Sequence, residues 1–233
     1  MSALLAFDTS GEQLFVGLVI AGRTWVHEAP GGARASAALL PAVMGLLREA
    51  DSNLEQLHAI GFGRGPGAFT GLRTACSVAQ GLALGAAKPV LAIDTLMAVA
   101  EDAREGAESL QLWVALDARM DQIYAAQYRY AGRAWSVLDE PTLFSPQALN
   151  ERWAAQPVAH IAGNALPAFA GRLATGPARC QPQALPRAAA LLRVATTLWA
   201  QGAAVDVAAA RPSYVRDKVA QTIDERAAQR NAP

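Results

Sequence analysis

A short pattern near the N-terminus returns in mid-chain. Leu5-Ala6-Phe7-Asp8, followed by Glu12-Gln13-Leu14-Phe15, has a counterpart 109 residues on: Val114-Ala115-Leu116-Asp117, followed by Asp121-Gln122-Ile123-Tyr124. Each copy reads as a buried strand, an Asp-led turn and a second strand opened by a polar pair. A fainter echo, at an offset of 100, sets Gly63, Ala68-Phe69 and Gly71 against Gly163, Ala168-Phe169 and Gly171. Duplication on this scale predicts two similar α/β halves facing one another. The 233 residues have room for both, and the polar break Arg104-Glu105-Gly106-Ala107-Glu108 divides them. The expected domains are therefore 1–106 and 107–233, with the tail packing back on the first.

Within the first half, apolar runs at 4–7, 14–20 and 24–28 predict an antiparallel meander. Residues 36–50 carry Leu39, Leu40, Val43, Leu46 and Leu47 at helical spacing. A strand over 57–62, a glycine-dense loop, a helix over 70–86, a strand over 90–93 and a helix over 95–103 follow. In the second half, 188–200 reads as an amphipathic helix, with Gly202 beyond it as a terminator. The 70–86 helix is unusual. Gly71, Ala75, Ala79, Ala83 and Ala86 make one face nearly flat, and Leu72, Cys76, Leu82 and Leu84 make the other apolar as well. A helix apolar around most of its girth must be covered on two sides. The 36–50 helix can supply one cover and a partner protein the other.

Charge narrows the function. Lys plus Arg and Asp plus Glu are 20 each, for a formal charge of zero. A free-standing nucleic-acid binder draws much of its affinity from phosphate neutralisation by a basic stripe. None is visible, so any nucleic acid is expected to be held through a partner. Cys76 and Cys180 make neither a disulfide framework nor a zinc-ligand set. With no basic leader at the N-terminus and no uninterrupted apolar run of membrane-spanning length, the expected compartment is the cytoplasm, away from any membrane.

The strongest motif is Gly63-Arg64-Gly65-Pro66-Gly67-Ala68-Phe69-Thr70-Gly71-Leu72-Arg73. It lies between a strand and a helix, where free N–H groups and the helix dipole favour an anion, and Thr70 is placed to cap that helix. Two readings stand open: a phosphate cradle, or a turn that packs the helix closely on the sheet. It is no P-loop, since no Lys occurs before Lys88. A dinucleotide fingerprint forced from Gly63, Gly65 and Ala68, with Asp94 as the ribose acid, founders on Pro66, which removes a donor the pyrophosphate needs. Asp8-Thr9-Ser10 suits hydroxyl donors to phosphate beside a metal-facing carboxylate, or an Asp-led turn bonding its own backbone. Its mirror, Asp117-Ala118-Arg119, lacks the hydroxyls, which lowers the expectation of ATP hydrolysis. His27, His58 and His160 are scattered, giving no metal site, and there is no Gly-x-Ser-x-Gly elbow. No catalytic constellation emerges.

With these residues in hand, the chain resembles the TsaB (YeaZ) family of tRNA threonylcarbamoyladenosine biosynthesis proteins. The likeness rests on the glycine motif, the opening Ala6-Phe7-Asp8-Thr9-Ser10, the segments Leu116-Asp117-Ala118-Arg119 and Ile123-Tyr124-Ala125-Ala126, and the terminal Pro212-Ser213-Tyr214-Val215-Arg216. It implies an α/β, two-domain actin-like fold of the sugar-kinase, Hsp70 and actin (ASKHA) type, with a degraded nucleotide site. It also implies a non-catalytic scaffold that pairs with a TsaD-like catalytic paralogue, joins a TsaE-like ATPase, forms a homodimer when alone, and meets tRNA only through the complex. The pairing surface would come from the first two helices, with Leu39, Val43, Leu72, Cys76, Ala79 and Ala83 as candidate contacts. The candidate ligand cleft comprises Asp8, Thr9, Ser10, Gly65, Pro66, Gly67 and Thr70, binding nucleotide weakly, with no cofactor required. Two departures favour a scaffold. Ala35-Ser36-Ala37-Ala38 stands where the family often has His-Ser-Glu, and Ala68 replaces its usual Ser. The alternative is an ATP-dependent kinase of the acetate or sugar kinase type, for which Asp117 is the one obvious carboxylate.

Overall fold

The structure is a computed structural model that describes residues 2–216. Strand β1 (Leu4–Asp8) is buried along its whole length and forms the centre of the first sheet. It is flanked by β2 (Gln13–Ile20), β3 (Arg23–Pro30), β4 (Ala59–Gly65) and β5 (Val90–Asp94), in the order β3-β2-β1-β4-β5. The meander β1-β2-β3 is antiparallel and β1-β4-β5 is parallel. Largely exposed, β3 is an edge strand that carries Arg23, His27 and Glu28 and ends in Pro30, features that discourage further pairing. Between β3 and β4 runs helix α1 (Ala35–Glu49), burying Leu39, Val43, Leu46 and Leu47 along one stripe. Between β4 and β5 runs α2 (Phe69–Ala86), and α3 (Thr95–Ala103) follows β5.

The second half repeats this plan. Strands β6 (Leu110–Arg119), β7 (Gln122–Ala131), β8 (Ala134–Phe144), β9 (His160–Ala162) and β10 (Arg179–Gln181) take the order β8-β7-β6-β9-β10, with the same parallel and antiparallel pairings. Helices α4 (Pro146–Ala155), α5 (Ala165–Ala168) and α6 (Ala188–Ala200) occupy the positions of α1, α2 and α3. The copy is reduced where its glycine loop should be: α5 has 4 residues against 18 in α2. The strand register also corrects the weaker sequence echo. Leu5 lies beside Ile60 and Val114 beside Ala162, so Gly163 occupies the place of Gly61, two residues away from Gly63.

The third helices are exchanged between the sheets. Helix α3 sends Leu96, Val99 and Ala100 into a core with Leu112, Val114 and Tyr128 of the second sheet. Helix α6 returns Leu191, Leu192 and Ala195 to Leu4, Phe15 and Leu91 of the first. Gly17 on β2 lets it come close, since a Cβ there would stand 2.8 Å from Leu192 and 2.9 Å from the Ala188 carbonyl. The segment after α6 continues along the first half, where Val205 exchanges backbone hydrogen bonds with Val90. No described helix is long and apolar enough to cross a membrane.

Candidate functional site

Of the candidate cleft residues, Asp8, Thr9 and Ser10 lie together at the end of β1 with their polar groups facing inward. Asp8 and Thr9 are fully buried and Ser10 nearly so. One Asp8 carboxylate oxygen accepts from the Ser10 N–H (2.7 Å) and hydroxyl (2.6 Å), and the other from the Thr95 hydroxyl (2.7 Å). Thr9 donates its hydroxyl to the Gly71 carbonyl at 2.7 Å. Burial pushes the Asp8 carboxyl above its ordinary 3.8, against the lowering effect of the Ser10 and Thr95 hydrogen bonds. The Thr9 and Ser10 hydroxyls, which could have met a phosphate, already have acceptors inside the fold.

The glycines of the loop explain themselves by proximity to that same tip. A Cβ on Gly63 would lie 1.8 Å from Asp8 Oδ2, one on Gly67 2.5 Å from the Ser10 Cβ, and one on Gly71 2.0 Å from the Thr9 carbonyl oxygen. Gly65 has φ +113°, precedes the cis Pro66, and donates its N–H to the Thr95 hydroxyl. Close packing against the strand tip, one of the two readings left open by the sequence, thus accounts for these glycines. Thr70 is exposed and does not cap α2. The N-cap position falls on Ala68, whose own N–H is taken by the Ser10 carbonyl at 2.8 Å. Asp94 has its partners within the fold. It caps α3 through Leu96 N–H and Met97 N–H, while its second oxygen accepts the Tyr128 hydroxyl at 2.8 Å.

A segment that sequence reasoning quoted but gave no task lies directly on the loop. The Ser213 N–H donates to the Arg64 carbonyl at 2.7 Å, and the Ser213 carbonyl lies where a Gly65 side chain would project. Tyr214 stacks on Phe69 with ring centroids 5.0 Å apart and accepts from Arg73 Nε. Arg216 then crosses to the second half, donating to the Ala118 carbonyl and to Gln122 at the β6–β7 turn. There Asp117, the mirror of Asp8, accepts the Arg119 N–H and pairs with the Arg119 guanidinium, which also reaches Glu12 of the first half. The alternation of Ser, Tyr and Arg was the available signal, but nothing local tells a strap from a frayed end. Residues 217–233 of the tail expected to pack back lie outside the described residues.

The candidate interface residues need correction. Leu39, Val43, Leu72, Cys76, Ala79 and Ala83 are all buried within this chain, at 0–5 % exposure. Most of them join Phe7, Val16 and Phe62 in the core of the first half. The surface that α1 and α2 leave open is instead Leu40, Met44 and Leu84, the last 74 % exposed. Both faces of α2 were legible as apolar, and the candidates taken from each, Leu72 and Cys76 on one and Ala79 and Ala83 on the other, are covered by the chain itself. Among the described residues no group of three or more His, Cys, Asp or Glu comes together. His58 accepts the Ala3 N–H and stacks on Trp199.

Two sheets of identical order, exchanged third helices and a strand-tip loop at the join define a duplicated α/β protein of the actin-like class. The family model for TsaD, tRNA N6-adenosine threonylcarbamoyltransferase, matches residues 19–171. The tRNA threonylcarbamoyladenosine biosynthesis protein TsaB of Escherichia coli is 32 % identical over 225 residues, covering 93 % of this chain and 96 % of that one. Its counterpart in Haemophilus influenzae is 40 % identical over 125 residues, 53 % of this chain and 52 % of its own. Among solved structures, YeaZ from Pseudomonas aeruginosa superposes with a TM-score of 0.82 at 38 % identity, over 92 % of this chain and all of the other. A second P. aeruginosa structure, described as an uncharacterized protein with similarity to peptidase YEAZ, gives 0.85 at 36 %, over 93 % of this chain and all of the other. The chain belongs to the TsaB (YeaZ) family.

Proposed function

We propose that this chain works in tRNA threonylcarbamoyladenosine biosynthesis as a non-catalytic partner of a TsaD-type transferase. The observation that carries the reading is the state of the β1 tip. Thr9 is bonded to Gly71, Ser10 to Asp8 and Asp8 to Thr95, so the groups that would hold a nucleotide phosphate hold the fold together. The strap of Ser213 and Tyr214 over the loop supports it further. A kinase would need those groups directed at substrate, together with a phosphate loop in the second half, where α5 is a single short turn.

Such a subunit contributes surface rather than chemistry. It pairs with the TsaD-like protein through the exposed part of α1 and α2, works beside a TsaE-like ATPase in the cytoplasm, self-associates through the same patch when alone, and needs no cofactor of its own. It contacts tRNA through the complex. Reconstitution with the TsaD-type and TsaE-type proteins of the same organism, with tRNA, ATP and a threonylcarbamoyl donor, tests this. Transfer should stop when the chain is omitted, and the chain alone should release no phosphate from Mg-ATP. Steady ATP turnover by the isolated chain, or full transfer without it, would sink the proposal.

A further inference from the structure

Away from the glycine loop, where α3 and α6 hold the two halves together, the surface opens into a cavity of about 440 Å³. That lies within the roughly 300–1,000 Å³ of small-molecule sites. Three guanidiniums line it: Arg104 at the end of α3, Arg133 in the β7–β8 turn and Arg193 on α6. At their centre is Glu101, a buried carboxylate. It accepts Arg104 Nε at 2.9 Å and Nη2 at 2.8 Å, Arg193 Nε at 2.5 Å, and the Trp135 indole N–H at 2.9 Å. Burial alone would raise the Glu101 pKa, and the bonds from Arg104, Arg193 and Trp135 together outweigh it and hold the group ionised.

Among the lining residues three guanidiniums face one carboxylate, Glu101, which leaves the cavity positive even with Asp102 acting on Arg193 from outside the lining. Among the described residues, the terminal nitrogens of Arg193 and the whole guanidinium of Arg133 donate to no protein group. Arg104 is held over the Tyr130 ring, 4.3 Å from its centroid. Two arginines are thus fixed by Glu101, and Arg133 joins them in the lining. Val19, Leu192 and the Trp135 ring supply an apolar wall beside them. We propose that this cavity binds a small phosphomonoester. The dianionic phosphate would take the free donors of Arg133 and Arg193, whose planar forks match phosphate oxygens. The organic body would lie against the apolar wall.

Calorimetric titration of the full chain with adenosine 5′-monophosphate, with inorganic phosphate and with tRNA tests the assignment. The monophosphate should bind saturably and more tightly than inorganic phosphate. R133Q, which breaks no protein contact, should weaken it about tenfold, the worth of one charge-assisted hydrogen bond. R193Q should do so as well, and melting curves would establish that each variant is folded. Absence of saturable monophosphate binding would overturn the proposal. So would equal affinity in wild type and R133Q, inorganic phosphate binding as tightly as the monophosphate, or binding of tRNA alone.

Discussion

Gly71 and Gly45 both lie in helices, yet their surroundings give the same substitution opposite signs. A Cβ at Gly71 would meet the Thr9 carbonyl at 2.0 Å, a backbone atom that cannot turn aside, whereas at Gly45 nothing lies within 4 Å. G71A should therefore destabilise by about 2–3 kcal/mol, the range of a forced overpacking. G45A should stabilise by about 0.5–1 kcal/mol by removing backbone freedom from the unfolded chain and adding helix propensity. Urea unfolding of the two variants beside wild type checks both. The density of glycine at 63–71 was plain in the sequence. Its reason was not, because a phosphate and a neighbouring strand tip make the same demand for missing side chains. The position of Asp8-Thr9-Ser10 shows that the strand tip makes it here.

Helix α2 shows the same limit at the scale of an element. Its length and both apolar stripes were readable from spacing, but a helix with two apolar faces does not announce which one meets its own sheet. Ala79 and Ala83, at 0 % exposure, face the core, and Leu84 faces out. A79R should consequently unfold the chain, because a guanidinium would be buried without a counter-ion. L84R should leave the circular dichroism spectrum unchanged while abolishing co-elution with the TsaD-type protein in size-exclusion chromatography. A folded A79R, or an L84R that still co-elutes, would overturn this placing of the interface. The α6 helix was found at its full extent from Leu191, Leu192, Val194 and Ala195. That it serves the first sheet rather than its own was invisible, since an apolar stripe specifies that it must be covered and not by what.

At the scale of the molecule, the exchange of α3 and α6 makes the two halves depend on each other, and Glu101 lies at the crossing. It draws Arg193 from α6 and Trp135 from β8 onto α3. E101Q should cost about 2–3 kcal/mol at neutral pH, less than the roughly 3–5 kcal/mol of a fully buried pair because Arg193 is half exposed. The folded-state pKa of Glu101 is depressed below the ordinary 4.5, so its contribution is complete above that pH and is lost as acid titrates the folded form. The stability gap between wild type and E101Q should then close as pH falls below 4.5, as read from unfolding midpoints across a pH series. A gap independent of pH would show that the charge is not what joins the halves.

The sequence by itself determined the duplicated strand–turn–strand plan, most of the helices and strands, and the family. Those properties reside in periodicity, turn chemistry and local motif, which neighbouring residues encode. What the tertiary structure decided was which groups meet across long separations. Thr9 finds Gly71, Asp8 finds Thr95, Ser213 finds Arg64 and Glu101 finds Arg193. A hydroxyl or a carboxylate near a turn has the same local pattern whether it is offered to a ligand or satisfied within the fold. The desolvation that forces the choice exists only once the chain has closed around it.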